Sequence, residues 1–224
     1  MKYANIKQGT FINRPNRFIA YVEIDGVTEL CHVKNTGRCR ELLVPGAIVF
    51  VQEAQNPERK TKFDLIAVYK GDRLINMDSQ APNQVMKEWL PTFFPNLSLL
   101  KPEARYGSSR FDFYLETEGR KIFAEVKGVT LEENGVALFP DAPTERGVKH
   151  LTELCDCVKN GYDAYVFFVV QMEQADYFTP NKKTHPAFAD ALKQAQKQGV
   201  HIVCVNCIVK KDELTIHDFI RIKL

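Results

Sequence analysis

The sequence predicts an α+β protein in two parts, and three observations carry that expectation. Before about residue 80, short runs of alternating or β-branched residues are separated by Asp25-Gly26, Pro45-Gly46 and Gly71-Asp72, turn pairs at hairpin spacing. After it, helix-period stretches alternate with apolar runs of strand length, an order that builds a sheet with helices packed on it. The 224 residues, 45% of them hydrophobic, suffice for one large core or two small ones. The expected division is a barrel-like module over residues 1–80 and a mixed sheet flanked by helices over residues 81–224.

In the first part, strands are expected at Phe18–Ile24 and Val27–Val33 on either side of Asp25-Gly26, then at Ala47–Glu53, Phe63–Tyr69 and Arg73–Asn76. Five strands with almost no helix in 80 residues is the size of an oligonucleotide-binding (OB) barrel. In the second part, Asn83 is placed to cap a helix running to Leu90, followed by a short strand at Pro102–Tyr106. A hairpin over Arg110–Gly128 comes next, then a loop to about Pro143. Thr144, with Gly147 in the first turn, starts a helix reaching about Asn160. Ala164–Met172, "AYVFFVVQM", reads as a buried strand from its length and its β-branched and aromatic content. A helix over Pro186–Gln198 and strands at His201–Val209 and Leu214–Ile222 complete the order.

Composition removes several classes. No stretch approaches the run of about 18 apolar residues that a membrane helix needs, and "MKYANIKQGTF" has no apolar segment of signal-peptide type. The expected setting is therefore the cytoplasm, with no membrane and no protein partner implied. Cys31, Cys39, Cys155, Cys157, Cys204 and Cys207 lack the spacing of a disulfide framework and are expected as reduced thiols. A zinc site from Cys155, Cys157, Cys204 and Cys207 is disfavoured, because residues two apart on a helix or three apart on a strand point different ways. The net charge is only +2, but residues 1–80 hold 12 Lys/Arg against 9 Asp/Glu. The bases cluster at Arg14/Arg17, at Lys34/Arg38/Arg40 and at Arg59/Lys60/Lys62, either solvated loop charge or a surface for phosphate.

The hairpin raises the chemical question. Phe111, Phe113 and Leu115 are expected on one face, as are Ile122, Ala124 and Val126, which puts Asp112, Glu125 and Lys127 on the other. With the turn on Glu118-Gly119, Asp112 lies opposite Glu125, and facing like charges are destabilising. With the turn on Gly119-Arg120, Asp112 instead lies opposite Lys127 in a plain ion pair. The first register resembles the PD-(D/E)XK nuclease core, in which an acid on one strand and a Glu-x-Lys on the next converge at a sheet edge. Phe111 stands where that motif is named for proline. There, Asp112 and Glu125 would share a divalent cation, Mg²⁺ or Mn²⁺, with the Val126 carbonyl as a further oxygen. Lys127 would position water or stabilise developing negative charge.

Four longer segments, "NTGRCRELLVPGA" (Asn35–Ala47), "YGSSRFDFYL" (Tyr106–Leu115), "FAEVKGVTL" (Phe123–Leu131) and "FPDAPTERGVKHL" (Phe139–Leu151), resemble the sugar fermentation stimulation protein A family. The resemblance implies an OB-like first part, a PD-(D/E)XK nuclease-like second part with Asp112, Glu125 and Lys127 as its triad, and binding of DNA without sequence preference. It also implies a regulatory link to sugar, notably maltose, use. Arg146, Lys149 and His150 on the helix after the hairpin, and Arg110 two residues before Asp112, join Arg14, Arg17, Lys34, Arg38, Arg40, Lys60 and Lys62 as candidate phosphate contacts, with solvated surface as the plain alternative. Glu88 and Glu103 could supply a further metal ligand or be ordinary surface acids, with the surface reading preferred. Tyr106 and Tyr114 fit a core edge as well as a base-stacking role, and Trp89, at the end of a short apolar helix, is read as core. The function expected is a sequence-nonspecific DNA-binding protein with a divalent-metal phosphodiesterase site, or else a non-catalytic DNA-binding regulator of sugar metabolism.

Overall fold

The computed structural model describes residues 1–35, 37–56 and 58–224. Six strands come first: β1 (Ile6–Asn16), β2 (Ile19–Ile24), β3 (Val27–Val33), β4 (Ile48–Glu53), β5 (Phe63–Lys70) and β6 (Arg73–Asn76). Their order is β3-β2-β1-β4-β5-β6, and a parallel pairing of β3 with β5 at Cys31↔Phe63 to Val33↔Leu65 closes β1–β5 into a barrel. The barrel has the expected number of strands with different membership: Ile6–Asn16 belongs to it, and Arg73–Asn76 hangs outside on β5. "IKQGTFINRPN" has no clean alternation, because β1 is bulged against β2 between Phe11 and Asn16. Gly9 permits this pairing, since a Cβ there would stand 2.5 Å from Val22 Cγ1 and 2.7 Å from the Glu23 carbonyl oxygen.

The second part runs α1 (Ala81–Phe93), β7 (Leu97–Tyr106), β8 (Ser109–Thr117), β9 (Arg120–Val129), β10 (Leu131–Glu133), β11 (Val136–Phe139), α2 (Glu145–Lys159), β12 (Asp163–Val170), β13 (Tyr177–Pro180), α3 (Pro186–Lys197), β14 (His201–Lys210) and β15 (Glu213–Phe219). Its main sheet has the order β15-β14-β12-β9-β8-β7, with β12 parallel to both β9 and β14 and the outer pairs antiparallel. Helix α1 covers one face through Val85, Met86 and Leu90 above Phe113, Ile122, Ala124 and Phe167. Helices α2 and α3 cover the other through Leu151, Leu154, Phe188 and Leu192 above Val166, Phe168 and Val170. With both faces covered, β12 can be apolar without alternation, which is why "AYVFFVV" was readable as a buried strand.

Two expectations are corrected here. Asn83 does not cap α1: the helix starts at Ala81 with Gln80 before it, and the Gln80 N–H is held by Asp78 Oδ1 at 2.9 Å. The stretch to Pro143 is not simply a loop. It contains the β10–β11 hairpin turning on Asn134-Gly135, both at positive φ (50° and 84°), and β13 adds in parallel to β11 as a third strand. Strands of three and four residues carry too little periodicity to register in sequence. Thr144 does cap α2, its hydroxyl accepting the Gly147 N–H at 3.1 Å.

The barrel is fastened to the second part by buried polar groups. Gln171 Nε2 donates to Asn76 Oδ1 at 2.9 Å and to the Asp78 carbonyl at 3.0 Å, and Asn76 Nδ2 donates to the Tyr3 hydroxyl at 2.9 Å. Buried Glu132, on β10, accepts from Lys70 Nζ at 2.8 Å and pairs with Arg73 at 3.1 Å. Residues 1–3 run along the β14–β15 turn, with the Tyr3 N–H on the Asp212 carbonyl and the Leu214 N–H on the Met1 carbonyl. Among the described residues no helix is long and apolar enough to cross a membrane. All six cysteines are buried with free sulfurs, and Cys204 and Cys207 pack into cores on opposite faces of β14.

Candidate metal and nucleic-acid site

The register of the β8–β9 hairpin decides between the two arrangements of its charges. Glu118 (φ 50°) and Gly119 (φ 77°) form the turn, and pairing proceeds from Thr117↔Arg120 to Phe113↔Ala124. One step further sets Asp112 across from Glu125, so the alternative with Asp112 opposite Lys127 does not hold. At that step the ladder gives way to side chains: Asp112 Oδ2 accepts the Val126 N–H at 2.7 Å and its Oδ1 accepts from Asn83 Nδ2 on α1 at 2.8 Å. The faces also change here. Phe113 and Leu115 lie under α1, whereas Phe111 packs against Phe123 and the His150 ring beneath α2. The change sits opposite Glu103 on β7, whose φ of 53° interrupts regular strand geometry.

Glu125 is 4% exposed, and its Oε1 takes two donors: Lys127 Nζ at 2.6 Å, and His150 Nδ1. Arg146 Nε donates to His150 Nε2 at 3.3 Å, which leaves the ring proton on Nδ1, facing Glu125. Glu125 Oε2 is buried without a partner. The two carboxylates move in opposite directions. Burial, then the Glu125 charge, raises the Asp112 carboxyl above its ordinary value against the Val126 and Asn83 hydrogen bonds. For Glu125 burial acts upward too, but the His150 hydrogen bond and the Lys127 ammonium outweigh it and hold the group below its ordinary value. Among the described residues no three His, Cys, Asp or Glu side chains form a ready cage for a cation. What this edge offers is two carboxylates, one with an unengaged buried oxygen.

Other expected site residues divide by what they touch. His150 is corrected: it is not a surface contact but a buried clamp on Glu125, because α2 lies flat on the sheet and turns that side inward. Arg146 is exposed beside it, and Lys149 is exposed and reaches Glu153 at 3.7 Å. Arg110 leans on Glu103 at 3.5 Å rather than on Asp112. Glu88 binds the amino group of Met1 at 2.7 Å. Tyr106 packs on Phe111 and Phe123, Tyr114 on Phe123, and Trp89 on Phe93 and Phe167, so all three serve the core edge.

On the barrel, Lys34 is spent on Asp78 at 2.7 Å, and Arg59 on Asp64 at 2.7 Å. Arg14 gives four hydrogen bonds of 2.7–2.9 Å to the carbonyls of Arg17, Asn35, Gly37 and Arg38. It therefore builds the loop and is not available to a phosphate, which corrects its place among the surface contacts. Arg17, Arg38, Arg40, Lys60 and Lys62 remain exposed. The residue that sequence reasoning missed is Asn83, whose hold on Asp112 depends on how α1 crosses the sheet; no local pattern announces it.

A closed five-stranded barrel of OB type, followed by a mixed sheet with helices whose splayed hairpin carries Asp112, Glu125 and Lys127, defines a two-part α+β protein. The SfsA N-terminal OB domain model matches residues 12–77 and the sugar fermentation stimulation protein RE domain model matches residues 80–213. The chain belongs to the sugar fermentation stimulation protein family. It is 62% identical to a sugar fermentation stimulation protein homolog of Clostridium beijerinckii, covering 100% of both chains. It is 64% identical to a homolog of Desulfitobacterium hafniense, covering 100% of this chain and 99% of that one. The solved structure of Pyrococcus furiosus SfsA in complex with Ca²⁺ superposes with a TM-score of 0.89 at 28% identity, covering 100% of this chain and 98% of that one.

Proposed function

We propose that the chain binds DNA through its backbone without reading sequence, and that its second sheet carries a phosphodiesterase site dependent on Mg²⁺ or Mn²⁺. The observation that carries this reading is Glu125 Oε2, a buried oxygen of a carboxylate held ionised, without a donor, across from a second acid. Such an oxygen is costly unless something positive meets it. A hard cation taking oxygen ligands from Asp112, Glu125 and the Val126 carbonyl is the partner that removes both this cost and the repulsion. The Ca²⁺ in the archaeal relative is a cation of the same ligand preference and supports the reading. When bound, such an ion supplies a Lewis acid and lowers the pKa of water.

The chain's own residues do the rest. Asn83 and the Val126 N–H fix the rotamer of Asp112, and His150, itself held by Arg146, fixes that of Glu125. Lys127 puts an ammonium where negative charge gathers on phosphate. Arg17, Arg38, Arg40, Lys60, Lys62, Arg110, Arg146 and Lys149 supply phosphate contacts that carry no sequence information. The setting is the cytoplasm, where free thiols stay reduced.

A second reading, a non-catalytic DNA-binding regulator connected with sugar use, is favoured by one observation: Lys127 and His150 are both already spent on Glu125 Oε1. Incubating the purified protein with single-stranded, duplex and branched DNA, in Mg²⁺, Mn²⁺ or chelator, separates the two. The phosphodiesterase reading expects metal-dependent cleavage that Lys127→Ala abolishes while keeping the Mn²⁺-dependent rise in thermal midpoint. Asp112→Asn should lose both. A wild-type midpoint that ignores millimolar Mn²⁺ leaves DNA binding alone.

A further inference from the structure

A cleft of about 480 Å³ on the barrel is lined by Arg14, Arg17, Arg38 and Arg40 together with Asn13 and Asn16, and no Asp or Glu lines it. Glu41 and Asp141 lie near the Cys39 thiol without entering the lining. Among the described residues, the guanidiniums of Arg17, Arg38 and Arg40 form no ion pair. Gathering like charges in a concavity costs free energy unless an anion shares it, since a hollow focuses the field of its walls.

The cleft is also built in advance. The four carbonyls that Arg14 binds belong to the two segments that carry Arg17 and Arg38, so one side chain fixes the backbone of both walls. Its Nε–H is buried and without a partner. Arginine rather than lysine throughout favours an oxyanion that offers two or more oxygens to one guanidinium fork, as a phosphate does in a bidentate pair.

We infer that this cleft anchors a terminal phosphate monoester of a nucleic-acid strand. The inference rests on the DNA-binding reading above and adds to it the recognition of strand ends. A diester within a strand carries one negative charge, whereas a monoester carries about 1.5 to 2 near neutral pH and presents three acceptor oxygens. Three guanidiniums without counter-ions match the second. A cleft of this size, on the scale of small-ligand pockets, has room for a nucleotide and its phosphate. The close approach of Gly37 to Asp141, where an added Cβ would come within 2.4 Å of Oδ2, seats this loop against the segment that leads into α2.

The test is equilibrium binding, in chelator so that no strand is cut, of one single-stranded oligonucleotide in three forms: 5′-phosphorylated, 3′-phosphorylated and with both ends hydroxyl. The wild type should prefer one phosphorylated form by about tenfold, the scale of one charge-assisted contact. Nucleoside monophosphate should compete better than inorganic phosphate, and both better than citrate. In Arg38→Ala/Arg40→Ala, checked for an unchanged thermal midpoint, the ratio of phosphorylated to hydroxyl affinity should fall to about one whatever the overall affinity does. If that pair fails to fold, Arg17→Ala carries the same expectation. Equal wild-type affinity for all three forms, citrate competing as well as the monoester, or a ratio unchanged in the variants overturns the inference while leaving DNA binding intact. Failure of every oligonucleotide to bind overturns the broader reading instead.

Discussion

At the scale of single residues, Asp112 and Glu125 face each other but are held by opposite means, and removing them should have opposite effects. Glu125 neutralises Lys127 and accepts from buried His150, so Glu125→Gln leaves two donors short of an anion and should destabilise the metal-free protein by about 2 kcal/mol in urea unfolding. Asp112→Asn removes a charge whose carboxyl is pushed up by burial and by Glu125, and in chelator should leave stability unchanged or raise it. The pH dependence follows with its sign. Because the folded Asp112 value is raised, the native state holds more protons between the ordinary aspartate value of about 3.9 and the raised one. The Asp112 contribution to stability therefore falls as pH rises through that window. Asp112→Asn should lack this component in urea titrations across that range. Period-two alternation and a two-residue turn made these acids legible from sequence. The same local pattern was silent on Asn83 and misplaced His150, because both act across the space between a helix and the sheet.

At the scale of elements, the hairpin turn and the α2 cap set the site's geometry. Gly119 sits at φ 77° in open space, so Gly119→Ala should cost about 1 kcal/mol by conformational strain alone. The register, fixed by Phe113 and Leu115 under α1 on one strand and by Ile122 and Ala124 on the other, should survive, and with it metal binding by thermal shift. Thr144→Ala should cost a similar ~1 kcal/mol. Its consequence would reach the site, since Thr144 opens the helix that carries Arg146 and His150. Long or strongly apolar elements such as β12, α2 and α3 were readable to within a residue or two. Bulged β1 and the short β10, β11 and β13 were not, because a bulge breaks the alternation of β1 and three or four residues are too few to show a period.

At the scale of the whole molecule, the barrel and the small β10-β11-β13 sheet are coupled through charge. Buried Glu132 binds Lys70 and Arg73 from the barrel side, and these cations outweigh burial and hold its carboxyl below the ordinary glutamate value. That stability is present above about pH 4.3, the ordinary glutamate value, and is lost as pH falls through the depressed folded value. Glu132→Gln should lower stability at neutral pH by roughly 1–3 kcal/mol and flatten the acid limb of a denaturation profile. The exposed bases make a separate prediction. Affinity for DNA should fall steeply with salt and change little with base sequence, and Lys60→Ala/Lys62→Ala should reduce the slope of log affinity against log salt by about two if both meet phosphate. Clustering made that basic surface visible in the sequence. It could not separate the arginines that face outward from Arg14, which the loop consumes.

The seam between residues 1–3 and the β14–β15 turn governs the order in which the chain can assemble. Tyr3 anchors on Asp212, and its hydroxyl accepts from Asn76. Contacts that join such distant stretches form late, because a long loop must be closed before they return any free energy. In a nascent chain the barrel's strands precede β14 and β15, and the partner of Met1 leaves the ribosome 213 residues after it. The barrel, closed by β3 and β5 and met earlier by Glu132 and Gln171, therefore stays only partly seated until the β14–β15 hairpin forms. Its residence time in that half-docked state is the interval in which a chaperone or a neighbouring nascent chain would find it.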